Sequence, residues 1–315
     1  MLVLAGFRWQ AERREVQIAT VAAPTTGRFV HAADVQMFIQ EMGPATGPAV
    51  LFVHGTGAWS ETWRESMAAL AQAGSHTIAI DLPPFGYSGK PFNKRYGRQD
   101  QAARIIGVLD ALKIPRATLV GHSFGGGPTV EATFLAPERV RALVLVDVAL
   151  DLAAADSVKE PSFGLSQQML MVRPLRDAVV ATFLTNPLFT KHLLGLFIAD
   201  PIHATPNRVK VYQQPLVVTG STQAIGEWLP VLFAGDRSAT SGNPASYKSL
   251  KMPVVIVWGE RDTITPLSQG QHLASITPGA ELLVMPQVGH IPQIEDGPQF
   301  TALLQKIFAK LKDLP

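Results

Sequence analysis

The stretch ATLVGHSFG at residues 117–125 decides the fold of this chain. Its first four residues form an apolar run that predicts a buried strand, and a helical pattern follows at residues 125–135. A Gly-x-Ser-x-Gly sequence between a strand and a helix is typical of a sharp turn that exposes the serine hydroxyl. Alone it is weak support, because glycine-rich turns of this kind are common for structural reasons. The rest of the sequence must supply the partners of a serine nucleophile.

Composition sets broad limits on the protein. The chain has 315 residues, 47% of them hydrophobic, which is enough for one large domain or two smaller ones. A net charge of +2 without a Lys/Arg-rich run gives little support for a nucleic-acid partner. Because the sequence contains no cysteine, disulfides, thiolate metal sites and a cysteine nucleophile are excluded.

An N-terminal extension covers residues 1–26. Its apolar start, residues 1–7, is too short for a signal sequence or a membrane span. Arg8, Arg13 and Arg14 follow, a pattern that suits either a frayed terminus or the remnant of a longer membrane anchor. We expect a cytoplasmic protein, or a membrane-associated or periplasmic one if an anchor precedes the chain. The oligomeric state is left open.

Alternating strand and helix patterns predict a mostly parallel sheet. The predicted strands are residues 28–32, 35–41, 49–53, 76–80, 118–120, 142–146, 254–258 and 281–285, and the predicted helices between and after them are residues 62–73, 99–112, 125–135, 267–276 and 298–311. The first two strands suit an antiparallel hairpin. After Asp151 the strand pattern stops until about Tyr247, and prolines interrupt helical segments there, which predicts an inserted helical subdomain.

Several chemically useful side chains follow directly after predicted strands, where ligands gather in open parallel sheets. His54, Asp81, Ser123 and Asp147 occupy such positions. A serine hydroxyl needs an adjacent base to attack at neutral pH. His290, in the loop after strand 281–285, is the best candidate. A loop histidine is more often structural, but the need for a base favours a catalytic role here.

The base needs a carboxylate on its other ring nitrogen. Asp262 follows strand 254–258, and its structural alternative is a helix N-cap or a turn aspartate, since a helix begins nearby. Asp147 is the rival carboxylate and Glu260 a weaker one. The chain order Ser, Asp, His favours Asp262.

An oxyanion needs backbone N–H donors aimed at the developing charge. The residue after the nucleophile, Phe124, supplies one, and we expect Thr56, between Gly55 and Gly57, to supply the second. The loop lacks a Gly-Lys-Ser/Thr sequence and the full G-x-G-x-x-G spacing, so a nucleotide site is not expected. Ligand spacing is also missing among the histidines. We therefore expect no metal and no cofactor, and a structural role for His54.

Taken together, these residues resemble the α/β-hydrolase superfamily. The resemblance rests on five features, which are His54-Gly55, the DLPPFGYS stretch at residues 81–88, the elbow at residues 121–125, Asp262, and Gly289-His290. It implies an α/β fold with an eight-stranded, mostly parallel, doubly wound sheet, a core of residues 27–149 and 250–315, and an inserted helical cap at residues 150–249. Relatives usually carry glycine where Pro84 stands, a departure that affects a loop rather than the chemistry.

Serine at the elbow separates this chain from the haloalkane dehalogenases and soluble epoxide hydrolases of the same fold, which use aspartate. The resemblance therefore implies acyl transfer. We expect cleavage of a carboxylic ester or related acyl compound, small to medium in size and apolar or aromatic, through an acyl-enzyme. Two other reactions stay open: hydrolysis of a C–C bond in a vinylogous diketone, and cofactor-free perhydrolysis. A ligand-binding receptor of the same fold is the non-enzymatic alternative.

The cap carries methionines and aromatic residues that suit either a core or a pocket. They are Met169, Met171, Phe183, Phe189, Phe197, Trp228 and Phe233. The candidates for contact with substrate are Trp228, Trp59 near the oxyanion loop, and His122 beside the elbow.

Overall fold

The computed structural model describes residues 2–152, 172–234, 236 and 239–312. One sheet of eight strands has the order β1-β2-β4-β3-β5-β6-β7-β8. The strands are β1 Gly27–Ala32, β2 Val35–Met42, β3 Ala49–Val53, β4 His76–Ile80, β5 Ala117–His122, β6 Val140–Val146, β7 Val254–Gly259 and β8 Glu281–Met285. β2 pairs antiparallel with β1 and β4, and all other neighbours are parallel. The predicted eight-stranded, mostly parallel sheet is confirmed.

The central strands are apolar throughout because helices cover both faces of the sheet. Along β3, Leu51 and Val53 join the core on one face, while Val50 and Phe52 join the core on the other. The first core is closed by α4 Arg98–Ala111, α5 Gly126–Leu135 and α10 Leu267–Ile276, and the second by α3 Arg64–Gln72 and α12 Gly297–Lys312. These helices are confirmed to within a few residues of the predicted bounds.

Four helices lie between β6 and β7 in the described part of the chain. They are α6 Arg173–Phe183, α7 Pro187–Phe197, α8 Pro206–Gln213 and α9 Ser221–Ala234. No strand of the sheet falls among the described residues of this region, as the sequence predicts. We call these four helices and their connections the cap. The division of the chain at residues 26, 149 and 249 stays a prediction.

The N-terminal residues are folded against the cap. Helices α1 Leu2–Arg14 and α2 Ala19–Ala22 precede the sheet. Arg8 lies 3.5 Å from the carboxylate of Asp177 on α6, and Ala11 is only 1% exposed. A frayed terminus was therefore the wrong expectation. No helix in the described residues is long and apolar enough to span a bilayer.

Candidate active site

Ser123 lies at the carboxyl end of β5, in a turn that strains its backbone. Its φ is +51°, a left-handed conformation that is unusual for a residue with a side chain. Gly125 makes the turn possible, because a Cβ there would come within 2.3 Å of the His54 carbonyl oxygen. The strand-turn-helix context predicted for the pentapeptide is thus present, and it presents the serine at the edge of the sheet where the other strands end.

Three side chains from three strand ends meet at this edge. His290 Nε2 lies 2.7 Å from Ser123 Oγ, and His290 Nδ1 lies 2.7 Å from Asp262 Oδ2. All three residues are buried, with His290 only 1% exposed. With Nδ1 protonated, His290 donates to the carboxylate and accepts the serine proton at Nε2. The arrangement suits proton transfer from the serine to the imidazole.

Hydrogen bonds fix the carboxylate of Asp262. Its Oδ1 accepts from the backbone N–H groups of Ile264 and Thr265, at 2.8 and 2.9 Å, and its Oδ2 accepts from Thr265 Oγ1 at 2.6 Å. Burial favours a raised pKa for Asp262, but the hydrogen bond and charge of His290 and the Thr265 donors outweigh it, so the pKa lies below its usual value. The carboxylate therefore stays ionised, and the turn role considered for Asp262 coexists with its contact to the histidine.

The two rival carboxylates accept from backbone amides and are not paired with His290. Asp147 Oδ1 accepts from the Gly259 N–H at 2.7 Å. Burial, and next the nearby charge of Asp262, raise the pKa of Asp147 well above its usual value, which favours the uncharged form of this carboxyl group. Glu260 accepts from the Gln287 N–H in an exposed position. Both residues therefore bind groups other than the ring of His290.

The loop after β3 lies directly against the elbow. A Cβ on Gly55 would come within 2.7 Å of His122 Nδ1 and 2.9 Å of Ser123 Cβ, so only glycine fits there. Thr56 follows and lines the cavity described below. His54 is fully buried, accepts from the Leu82 N–H at 2.8 Å, and has a pKa lowered to about 4 by burial. It is a neutral group that holds the loop, while the oxyanion role of Thr56 and Phe124 stays a prediction.

His122 supports the histidine loop. Its Nε2 donates to the His290 carbonyl oxygen at 2.8 Å, and its Nδ1 lies 3.3 Å from the Gln293 amide nitrogen. Burial, followed by the charge of His290, lowers the pKa of His122 to about 3. His122 also lines the cavity, but both ring nitrogens have protein partners, so it offers the substrate only ring surface.

A cavity of about 430 Å³ lies between the sheet edge and the cap, with Ser123 and His290 in its wall. One face of α9 contributes much of the lining through residues at helical spacing, namely Ile225, Trp228, Leu229, Leu232 and Phe233. Phe183 and Phe197 also line it. None of the described lining residues is a lysine, arginine, aspartate or glutamate. The cavity therefore suits an uncharged, apolar group.

One of the three substrate-contact candidates and one of the aromatic residues of the cap lie outside the cavity lining. The structure places Trp59 outside the cavity lining, where it packs on Phe38, Tyr87 and Val218 and donates to the Val211 carbonyl oxygen at 2.7 Å. Trp59 thus joins the sheet to the cap instead of facing a ligand. Phe189 packs on Phe183 and is likewise absent from the lining. Met169 and Met171 lie outside the described residues.

Sequence reasoning missed three contributors to the site. Thr265 hydrogen-bonds to Asp262, and its hydroxyl lies 3.2 Å from His290 Nδ1. Glu295 holds the loop around His290 through backbone amides. Helix α9 was not predicted because Gly226 and Pro230 interrupt its pattern, although the spacing of its five lining residues is a helical signal. Among the described residues no cluster of His, Asp and Glu side chains could hold a metal ion.

Comparison with known proteins agrees with this fold. The family model for the alpha/beta hydrolase fold matches residues 48–297. A 2-hydroxymuconate semialdehyde hydrolase of Pseudomonas sp. (strain CF600) is 30% identical in an alignment over 294 residues that covers 91% of this chain and 95% of that protein. The chain therefore belongs to the alpha/beta hydrolase family.

Two solved structures extend the comparison. A meta-cleavage product hydrolase from Pseudomonas fluorescens IP01 has a TM-score of 0.74 and 25% identity, covering 90% of this chain and 98% of its own. A membrane phospholipase A has a TM-score of 0.72 and 22% identity, covering 99% of this chain and 92% of its own. At this identity the second structure shows a shared fold alone.

Proposed function

We propose that this protein is a serine hydrolase that cleaves carboxylic esters of small to medium apolar or aromatic groups through an acyl-enzyme. One observation carries the proposal: Ser123 Oγ lies 2.7 Å from His290 Nε2 in the wall of an apolar cavity. The nucleophile has its base in hydrogen-bond contact, and the base has an ionised carboxylate on its other nitrogen.

The reaction has two halves. Ser123 Oγ attacks the ester carbonyl carbon while His290 takes the hydroxyl proton, and Asp262 stabilises the imidazolium. The proton then passes to the leaving alkoxide as the ester C–O bond breaks, which leaves the acyl group on Ser123. A water molecule, deprotonated by His290, then attacks the acyl carbon. The bond from this carbon to Ser123 Oγ breaks, His290 returns the proton to Oγ, and the acid leaves. The backbone N–H groups of Phe124 and Thr56 stabilise the oxyanion in both halves.

The lining of the cavity supports an uncharged substrate. A muconate-type substrate carries a carboxylate, and burial of a carboxylate without a cation or several donors costs several kcal/mol, as an order of magnitude. The described lining residues include no lysine or arginine. An ester with an apolar acyl or aromatic group leaves no such charge unpaired.

Hydrolysis of a C–C bond is the second candidate, and the relatives favour it over the ester. The 30% identical relative is a 2-hydroxymuconate semialdehyde hydrolase, and the similar crystal structure is that of a meta-cleavage product hydrolase. The same Ser123, His290 and Asp262 can serve both reactions, because each begins at a carbonyl carbon. The apolar lining of the cavity favours the ester, and the relatives favour the C–C bond.

A substrate panel with one variant tests the proposal. p-Nitrophenyl esters of graded acyl length are compared with a vinylogous diketone that carries a carboxylate. We expect the esters to be turned over at a higher kcat/KM than the diketone, and Ser123→Ala to abolish turnover of both. Preference for the diketone would establish the C–C candidate instead.

Covalent labelling separates enzyme from receptor. A fluorophosphonate probe reacts with an activated serine, so we expect it to label the wild type and to label His290→Ala far more slowly. Folded wild-type protein that takes no label would contradict the proposed function and favour a binding role. Turnover that survives in Ser123→Ala would instead show that Ser123 is not the nucleophile.

A further inference from the structure

Glu295 is a buried carboxylate that joins three backbone segments. It lies at the end of α11 Pro292–Glu295 and is 6% exposed. Its Oε2 accepts from the Gly289 N–H at 2.9 Å and from the Ala199 N–H at 2.7 Å, and its Oε1 accepts from the Ile291 N–H at 3.0 Å. Two of the donors flank His290 on either side, and the third belongs to the cap.

All three donors are main-chain amides, which cannot follow the carboxylate by rotating a side chain. Hydrogen bonds from N–H groups to an ionised acceptor are stronger than neutral ones. A single carboxylate therefore fixes the histidine loop and the cap segment after α7 relative to each other. If the cap segment moves away, the carboxylate either loses its Ala199 donor or moves with it and disturbs the loop.

Further contacts join the same two segments. The His290 N–H donates to the Phe197 carbonyl oxygen at 3.1 Å, and the two rings lie 5.8 Å apart. A Cβ on Gly289 would come within 2.6 Å of the Ala199 backbone nitrogen, so loop and cap are in van der Waals contact. His290 is thus held by contacts with the cap as well as by its hydrogen bond to Asp262.

We propose that Glu295 is a positioning residue that couples the cap to His290, so that the imidazole reaches Ser123 fully only when the Phe197–Ala199 segment is docked. This proposal rests on the proposed role of His290 as the general base. Displacing a catalytic group by about 1 Å costs up to about 100-fold in rate. A substrate that stabilises the docked position of this segment would in this way also align His290 with Ser123.

The test uses Glu295→Gln in the full chain, with Glu260→Gln as the matched control. Glu260 also accepts from a backbone N–H of the same loop, but in an exposed position and without a hydrogen bond to the described residues of the cap. In Glu295→Gln the amide NH₂ group replaces an acceptor and opposes one N–H donor. For a short-chain p-nitrophenyl ester we expect kcat to fall about 10- to 100-fold with KM changed less than about two-fold. We expect Glu260→Gln to match the wild type within about two-fold.

Fluorophosphonate labelling distinguishes positioning from simple damage to the fold. A positioning role lowers the rate constant of labelling in proportion to kcat and leaves the final labelled fraction complete. A kcat equal to that of the wild type, or a labelled fraction that falls in step with activity, would overturn the proposal. If the proposed function itself is wrong, the result is different, because the wild-type protein then takes no label.

A second variant tests the cap contact alone. Ala199→Pro removes the cap donor and leaves both amides of the histidine loop on Glu295. The preceding residue, Ile198, is extended, with φ −113° and ψ 150°, which suits a following proline. We expect kcat for the short-chain ester to fall at least about five-fold, because the carboxylate then loses its link to the cap. An unchanged kcat in Ala199→Pro would show that the cap and the base are independent, and would overturn the coupling.

Discussion

The sheet edge and the cap meet at one cavity but are built by different forces. At the edge, Ser123, His290 and Asp262 are fixed by directional hydrogen bonds of 2.6–2.9 Å and by strand ends. On the cap side, helices α6, α7 and α9 contribute apolar side chains that have no directional partners. A change at the edge should therefore alter the rate for every substrate, whereas a change among these apolar side chains of the cap should alter the choice among substrates.

The largest effect is expected for the carboxylate at the edge. Asp262→Asn keeps the shape of the side chain but cannot hold a proton on His290 Nδ1 as an ionised acceptor does. The imidazole loses its orientation and the stabilisation of its charged form, so we expect kcat to fall by about 10⁴. Steady-state kinetics with a short-chain p-nitrophenyl ester measure this fall, and circular dichroism checks that the variant is folded.

Asp147→Asn is the matched control for this prediction. The carboxyl group of Asp147 accepts from the Gly259 N–H, and burial raises its pKa, which favours the uncharged form that an asparagine amide resembles. Asparagine also tolerates its positive φ of 44°. We expect a change in kcat of less than about ten-fold. If Asp147→Asn were the damaging variant and Asp262→Asn the mild one, the orienting carboxylate would be Asp147.

The same contrast explains what the sequence could and could not predict. Ser123, His290 and Asp262 follow apolar strands, and the carboxyl ends of parallel strands meet at one edge, so their meeting could be predicted from pattern and chain order. Trp59 follows β3 in the same way, yet its position depends on a carbonyl group of Val211 more than 150 residues away. Packing between segments so distant in the chain produces no local sequence pattern from which it could be predicted.

The N-terminal helix illustrates the same limit. Residues 1–7 and the arginines after them were compatible with a frayed end, and local pattern alone could not show that α1 packs on α6. The partners that decide its position, such as Asp177, lie far along the chain. The positions of the strands and the mostly parallel character of the sheet thus followed from the sequence, whereas the order of the strands, the wall of the cavity and the segments behind it required the structure.

An effect of intermediate size on kcat/KM is expected for a substitution in the cap. Val179, on α6, lines the cavity and is only partly buried, so Val179→Phe should extend a ring into the space that receives the substrate. We expect kcat/KM for longer acyl esters to fall about 10- to 100-fold, and kcat for the acetyl ester to stay within about two-fold. The comparison is made across the p-nitrophenyl ester series.

The control makes the same substitution on the outside of the cap. Val172 is 55% exposed and is not among the lining residues, so Val172→Phe should leave the whole series unchanged. Equal losses for all acyl lengths in Val179→Phe would mean that this part of the cap affects the chemistry at the sheet edge rather than the choice of substrate.

The smallest effect is expected behind the cavity wall, where the N-terminal segment supports α9. The Glu15 carboxylate accepts from the N–H and the hydroxyl of Thr222 in the first turn of α9. Gln17 also forms a parallel bridge with Val218. Glu15→Ala leaves both Thr222 donors without this acceptor, so we expect the cap to lose about 1–3 kcal/mol of stability. Hydrogen exchange at residues 217–224 measures it, while turnover of the acetyl ester should be unchanged.

Two further variants show whether charge or hydrogen bonding matters at this position. Burial outweighs the Thr222 bonds and raises the pKa of Glu15, so the fold tolerates the uncharged form. Glu15→Gln keeps an oxygen acceptor and should cost less than half as much as Glu15→Ala. Glu12, on the same helix, has a side chain 58% exposed and a surface ion pair with Arg8, so Glu12→Ala should change exchange by less than about 0.5 kcal/mol. Equal effects of Glu12→Ala and Glu15→Ala would mean that the helix stabilises the cap through general packing, and that the contact with Thr222 adds nothing of its own.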